Sequence, residues 1–146
     1  MDKPVFFPDH IGWAAARFSR AWNTQFHAEM RAAGYDWAGE ARAAILAHLP
    51  PGGLAQAELT RRIGLTKQAV QQHVDGLVAD GILQREAHHG DARSKWVGYT
   101  ELGRQALSDG NKIKAKIEAN LSHEFSADTV SELRRLLHIM SEHLVK

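Results

Sequence analysis

Lys67, Gln68, Gln71, Gln72 and Asp75 share one side of a helix at 3.6 residues per turn, and three of the five are amides. A Gln amide presents a donor and an acceptor side by side, a pairing that matches adenine in the major groove of DNA. Lys67 stands at the start of that helix, where backbone N–H groups already favour a phosphate. Further along, Arg93 and Lys95 place two positive charges close together, with Asp91 beside them. This chemistry is recognition rather than catalysis.

Other chemistries find little support. The chain has no cysteine, which excludes disulfides, thiolate metal sites and thiol redox sensing. Nine histidines are present, and His88-His89-Gly90-Asp91 puts metal-ligand types side by side. Zinc sites, however, want a Cys or a His pair one helical turn apart on a supported element. His138 and His143 are five apart, so a solvated turn and surface histidines are the expectation, with no metal and no cofactor. No glycine-rich phosphate loop or strand-to-helix serine elbow appears, and the carboxylates are scattered. An enzyme is not expected.

The elements that must position the amide face can be read in order. Ala57–Ile63 is a short helix with Leu59 and Ile63 on one side, and Gly64 follows where a positive φ is wanted. Leu65 is expected to plug the gap between this helix and the next, and Thr66 to cap the latter. There Val70, Val74, Leu77 and Val78 form the apolar stripe opposite the amides. Asp80-Gly81 stops the helix. Residues 82–88 then run outward as a strand and 95–100 return, joined by a turn-rich tip over 89–94. Thr100 is a cap for a helix that starts at Glu101. Helix, turn, helix and ribbon make a winged helix-turn-helix.

Ala57–Thr66, Leu77–Leu83, Asp91-Ala92-Arg93 and Tyr99–Arg104 together resemble the MarR family of bacterial transcription regulators. Asp91 and Arg93 look like its wing-tip pair, and Thr100-Glu101-Leu102-Gly103 like its Thr-x-x-Gly junction. The chain departs from the pattern at Ala92, where many members carry a second Arg, and at Leu54-Ala55-Gln56, which lacks a Ser or Thr cap. The resemblance implies a homodimer, and a ligand pocket for aromatic or phenolic acids between dimer platform and winged helix. It also implies that Arg93 reaches the minor groove beside the major-groove helix, oriented by Asp91.

The flanking segments carry the second signal. From His10 to Ala33, Ile11, Ala15, Phe18, Trp22, Phe26 and Met30 recur by three or four, with Asp9 as cap and Gly34 as stop. Such a helix is about 36 Å long. Trp37–Leu49 reads as a second helix, broken by Pro50-Pro51-Gly52-Gly53. Glu101 to about Ser122 is helical with a bend expected at Asp109-Gly110-Asn111. Ser126 caps a last helix whose Val130, Leu133, Leu137, Met140 and Leu144 form a three-four seam. A winged helix of some 50 residues cannot cover this much apolar surface, so a second copy of the chain is the economical partner; the alternative is packing within one chain. Trp13 and Trp37 lie off the simplest stripe and are the candidates to line a ligand cavity. The Lys112, Lys114 and Lys116 run reads as a solvated helix face.

The expected fold is therefore mainly α with a small β-wing, a winged helix-turn-helix plus N- and C-terminal dimerisation helices. Residues 1–50 and 101–146 form the platform and 51–100 the DNA-binding domain. Net charge is only +1, and residues 54–100 carry six Lys or Arg against five Asp or Glu, so placement rather than total charge must attract DNA. No apolar run approaches the roughly 20 residues of a membrane span, and Met1-Asp2-Lys3-Pro4 does not open like a signal peptide; a cytoplasmic protein is expected. The function expected is a homodimeric, sequence-specific regulator of double-stranded DNA with a near-palindromic operator, a repressor released by a small effector. Thr66, Lys67, Gln68, Gln71, Gln72, Arg93 and Lys95 would meet the DNA. A winged-helix protein-interaction module is the alternative.

Overall fold

The three-four apolar spacing that begins at Ile11 folds as α1 (Ile11–Ala32) in a computed structural model that describes residues 9–88 and 91–146, without the side chains of 87, 88 and 91–94. Its cap is His10 rather than the expected Asp9. His10 Nδ1 accepts from Trp13 N at 3.1 Å, so an imidazole satisfies an orphan donor that a carboxylate would otherwise take. Gly34 ends the helix at φ 96°.

The segment expected as one helix over Trp37–Leu49 is instead two 3₁₀ segments, Asp36–Gly39 and Ala41–His48, with extended backbone at Glu40. The anchors lie in the core: Tyr35, Ala38, Ile45 and Leu49 are buried, and half-buried Trp37 and Leu46 pack against the same cluster, so tertiary contact overrides helix propensity. Tyr35 Oη donates to Asp109 Oδ2 at 2.6 Å. That bond, then burial, then the Asp109 charge push the phenol up to about 12.

After the Pro50–Gly53 turn come β1 (Leu54–Ala55), α2 (Gln56–Ile63), α3 (Lys67–Ala79), β2 (Leu83–His88) and β3 (Asp91–Tyr99). The sheet order is β1-β3-β2, all antiparallel, with Leu54 opposite Val97 and Arg85 opposite the same residue on the other side. The returning strand starts at Asp91, not Lys95: Asp91 pairs with His88 and Lys95 with Ala87, with a register shift between the two pairs. A partner strand offers backbone bonds whatever turn preference the side chains have. Leu59, Val70, Val74, Leu77, Ile82, Leu83, Val97 and Tyr99 form the fully buried centre. Leu65 does not plug the gap as expected: it is 46% exposed, because Leu59, Val70 and Val74 already fill the space.

β3 leads into α4 (Glu101–Phe125) through Thr100, whose Oγ1 accepts from Gly103 N at 3.0 Å. A Cβ at Gly103 would lie 2.1 Å from the Ile82 carbonyl oxygen, so only glycine fits. α4 runs unbroken through Asp109-Gly110-Asn111, against the expected bend. Gly110 instead packs toward α1, where an added Cβ would meet Phe26 Cζ at 3.6 Å and Met30 Sδ at 3.7 Å, ordinary contact distances. The last helix, α5 (Ala127–Leu144), is capped by Ser126 and buries no residue.

The two glycines of α4 should therefore respond oppositely to alanine. Gly103→Ala forces a backbone shift and should cost about 1–3 kcal/mol, as overpacking does. Gly110→Ala meets only ordinary van der Waals contacts and should stabilise by up to about 1 kcal/mol through helix propensity. Urea unfolding of both variants beside the parent checks this; a destabilising Gly110→Ala would mean that the α1–α4 contact is tighter than described.

Candidate nucleic-acid interface

Thr66 starts α3 in extended conformation (φ −65°, ψ 151°), and its Oγ1 accepts from Ala69 N at 3.1 Å. The N–H groups of the first turn beyond it have no carbonyl partner within the helix and give that end partial positive charge. With Val70, Val74 and Leu77 wholly buried, geometry alone turns Lys67, Gln68, Gln72 and Asp75 outward, and all four are exposed. Gly64, at φ 73°, takes the left-handed turn that lets α2 and α3 pack at their fixed angle.

Gln71 differs from its neighbours. It is half-buried, and its amide is engaged at both ends: Oε1 accepts from Gln56 Nε2 at 2.6 Å, and Nε2 donates to Asp75 Oδ1 at 3.1 Å. Gln56 Oε1 in turn accepts from Arg85 Nε at 3.2 Å. Arg85 Nη2 lies 2.7 Å from Asp75 Oδ1, an ion pair whose N–H is not aimed as a linear hydrogen bond. Arg85 first, then Gln71 and the Lys95 charge, hold the Asp75 carboxyl below its usual range. Sequence reasoning gave Gln56 and Arg85 no role. Only the Gln71–Asp75 spacing of four hinted at this cluster.

The far end of α3 is also tied. Arg42 Nε donates to Asp80 Oδ2 at 2.7 Å and Nη2 to Oδ1 at 3.3 Å. A Cβ at position 76 would sit 2.8 Å from Arg42 Cδ, so Gly76 gives that side chain its path across the helix. On α2, Arg61 and Arg62 both bond Glu58, at 2.6 and 3.2 Å to Oε1. The first of them, then the second, holds that carboxyl below its usual range.

On the wing, Lys95 is exposed and stands opposite Ala87 in the ladder. The backbones of Asp91 and Arg93 lie in β3, while their side chains are outside the described residues. His89 and Gly90 lie outside them altogether. Among the described residues no group of three His, Asp or Glu is placed to hold a metal.

Two concavities lie away from α3. One, about 480 Å³, sits between α1, the 3₁₀ segments and α4 and is lined by Trp22, Phe26, His27, Met30, Trp37 and Leu46 among others. Trp37 is thus on the cavity, whereas Trp13 is not among its lining and stacks beneath Arg17, whose guanidinium carbon is 5.5 Å from the ring centroid. Burial, and then the charge of Arg31, push the His27 imidazole down from its ordinary value. The other is an apolar groove of about 560 Å³ between α1, α4 and α5, with Phe18, Trp22, Leu121, Phe125, Leu133 and Leu137 on its walls. Phe125 is 64% exposed and Leu144 82%.

Residues 41–94 match the sequence model of the MarR family. Solved structures share the fold along nearly the whole chain. A MarR transcriptional regulator from Methanosarcina mazei Go1 is 22% identical, with 92% of this chain and 96% of that chain covered and a TM-score of 0.74. The transcriptional repressor CouR, bound to a 23-mer DNA duplex, is 20% identical, with 97% and 99% covered and a TM-score of 0.74. Wild-type MarR from E. coli in its apo form is 16% identical, with 92% and 98% covered and a TM-score of 0.68. No helix among the described residues is long and apolar enough to cross a membrane.

The Thr66 cap yields a direct test. Thr66→Ala leaves the Ala69 N–H without its acceptor and should lower stability by about 1 kcal/mol, while Thr66→Asn should restore most of it. Chemical denaturation of both variants measures this; equal stability of Thr66→Ala and the parent would show that water replaces the cap at no cost.

Proposed function

We propose that the chain, a winged-helix protein, belongs to the MarR family and works as a homodimeric, sequence-specific DNA-binding regulator, a repressor released by a small ligand. One observation carries the reading. The exposed side of α3 holds Lys67, Gln68 and Gln72 beside a two-stranded wing, while the helices that flank this module leave their apolar faces uncovered. α3 enters the major groove. Gln68 and Gln72, four apart and hence on one face, pair with base edges, and Lys67 with the Thr66-capped helix start holds phosphate. Lys95 and Arg93 extend along the flank to the minor groove, with Asp91 orienting Arg93.

Surface physics supports the dimer. No residue of α5 is fully buried within its own chain, and Leu133, Leu137, Met140 and Leu144 remain exposed along it. Contiguous apolar surface of this kind marks an interface. Seating a second copy there covers the seam and sets two α3 helices about 34 Å apart, one turn of duplex, on a near-palindromic operator. The cavity beside Trp37 is of the size and apolar character that small molecules fill, and an aromatic ligand suits its Trp and Phe walls. The likeness to CouR, a repressor solved on a DNA duplex, supports the mode of action. Such a protein works in the cytoplasm.

Gel shifts with duplex from the region upstream of its own gene test the core of this reading. Selective retardation of one fragment is expected; absence of any selectivity among duplexes would leave a protein-interaction module instead. The dimer has its own test. Ending the chain after Ser126 should expose the α1–α4 surface, and solubility and operator binding should fall together. A truncated chain that light scattering shows to be monomeric, and that binds operator as well as the parent, would remove the shared platform.

The wing is open to a salt titration. With Ala92 in place of a basic residue, Arg93 and Lys95 supply most of the wing's charge. Arg93→Ala should weaken binding to all sequences and flatten the log-log salt slope by about one unit per lost phosphate contact per half-site. An unchanged slope would mean that the wing stands clear of the duplex.

A further inference from the structure

We infer that Gln71 is a positioning residue rather than a base-reading one, and that with Gln56, Asp75 and Arg85 it forms a latch that sets the angle between α3 and the wing. The inference rests on the DNA-binding reading for its purpose, although the latch itself exists in the free protein. By sequence, Gln68, Gln71 and Gln72 are equivalent amides on one helical face. Their partners separate them.

Reading adenine with two bonds requires a Gln to present its carbonyl oxygen and its amine to the base together. Gln71 has both turned to the protein, the oxygen to Gln56 at 2.6 Å and the nitrogen to Asp75 at 3.1 Å. Swinging it to DNA would strand Gln56, which is only 8% exposed and would be left with an unmatched amide N–H. Gln68 and Gln72 are exposed and one turn apart. Base selectivity on this face accordingly belongs to those two.

The four latch residues come from three elements. Gln56 is the first residue of α2, Gln71 and Asp75 are on α3, and Arg85 is on β2, paired with Val97 of β3. Holding Arg85 therefore holds the ladder that carries the wing. The latch also disposes of a charge problem: Asp75 lies on the outward face of α3, where a bare carboxylate would repel phosphate, and Arg85 neutralises it at 2.7 Å. Helix and wing must reach a duplex together, so a fixed angle between them raises the effective concentration of the second contact once the first is made.

Two measurements on the full chain decide the matter, using the parent, Gln71→Ala, Gln56→Ala, Gln72→Ala, Arg85→Lys and the double variant Gln71→Ala with Arg85→Lys. The first is amide hydrogen exchange of the free protein over β2 and residues 95–99. Gln71→Ala and Gln56→Ala should speed exchange there by about two- to tenfold, the worth of one net hydrogen bond, and Gln72→Ala should not. The second is selection from a randomised duplex pool. Gln71→Ala and Arg85→Lys should weaken all selected sequences by one common factor and keep the base preference, with the double variant no weaker than the worse single one. Gln72→Ala should instead relax preference at one base pair. The latch is overturned if Gln71→Ala leaves wing exchange unchanged, or if it relaxes preference at a single base pair. Should the parent select no duplex at all, the DNA-binding reading fails and the exchange comparison alone settles the latch. Gln71 is only half-buried, so its variant keeps the test open even if Gln56→Ala does not fold.

Discussion

The backbone of Ile82 joins the parts of this protein that must keep a fixed relation to one another. Its N–H donates to Leu77 O at 2.9 Å, closing the end of α3, and its carbonyl accepts from Thr100 N at 3.0 Å and Thr100 Oγ1 at 3.1 Å. Gly103 passes so near that carbonyl that no side chain could stand there. One residue thus connects α3, the root of the wing and the start of the long α4. Ile82 is wholly buried, where broken backbone bonds cannot be replaced by water, so this junction resists deformation. A tilt of α4 must be felt at both α3 and the wing.

The 3₁₀ segments connect the same bodies by a second route. Tyr35 bonds Asp109 on α4, and Arg42 bonds Asp80 at the end of α3, while Tyr99 Oη donates to Leu49 O at 2.9 Å. Burial pushes the Tyr99 phenol up to about 12, so it stays a donor. The 480 Å³ cavity lies between these attachments, with Ala43, Ala44 and Ala47 of the second 3₁₀ segment on its wall. Anything that filled the cavity would press on a segment tied to both the end of α3 and α4. This gives the proposed ligand release a mechanical path, through contacts rather than distance alone.

Charge placement matters more here than charge total. Glu58 occupies both arginines of α2, and Arg85 occupies Asp75, so these three ionic groups on α2 and α3 are already paired within the protein. Lys67 and Lys95 remain exposed at the two ends of the surface. For a chain of net charge +1, a dimer that presents each cation twice is a physical route to adequate phosphate contact.

Much of this was legible in the residues themselves. Local chemistry determined the caps at Thr66, Thr100 and Ser126, the left-handed turn at Gly64, the apolar stripe of Val70, Val74 and Leu77, and the existence of a wing, because each depends on neighbours a few residues away. The family resemblance was carried by the same short motifs. The form of the 35–49 segment was decided by tertiary structure, since the core contacts of Tyr35, Ala38, Ile45 and Leu49 outweigh propensity. The same holds for Gly110, where close packing of α1 replaces the bend that Asp-Gly-Asn suggests, and for Leu65, left outside by a core already full. Above all, sequence could not separate Gln71 from Gln68 and Gln72. All three have the same chemistry on the same face, and the difference comes from Gln56, 15 positions before Gln71, which only the fold brings within its hydrogen-bond reach and which Arg85 holds in turn.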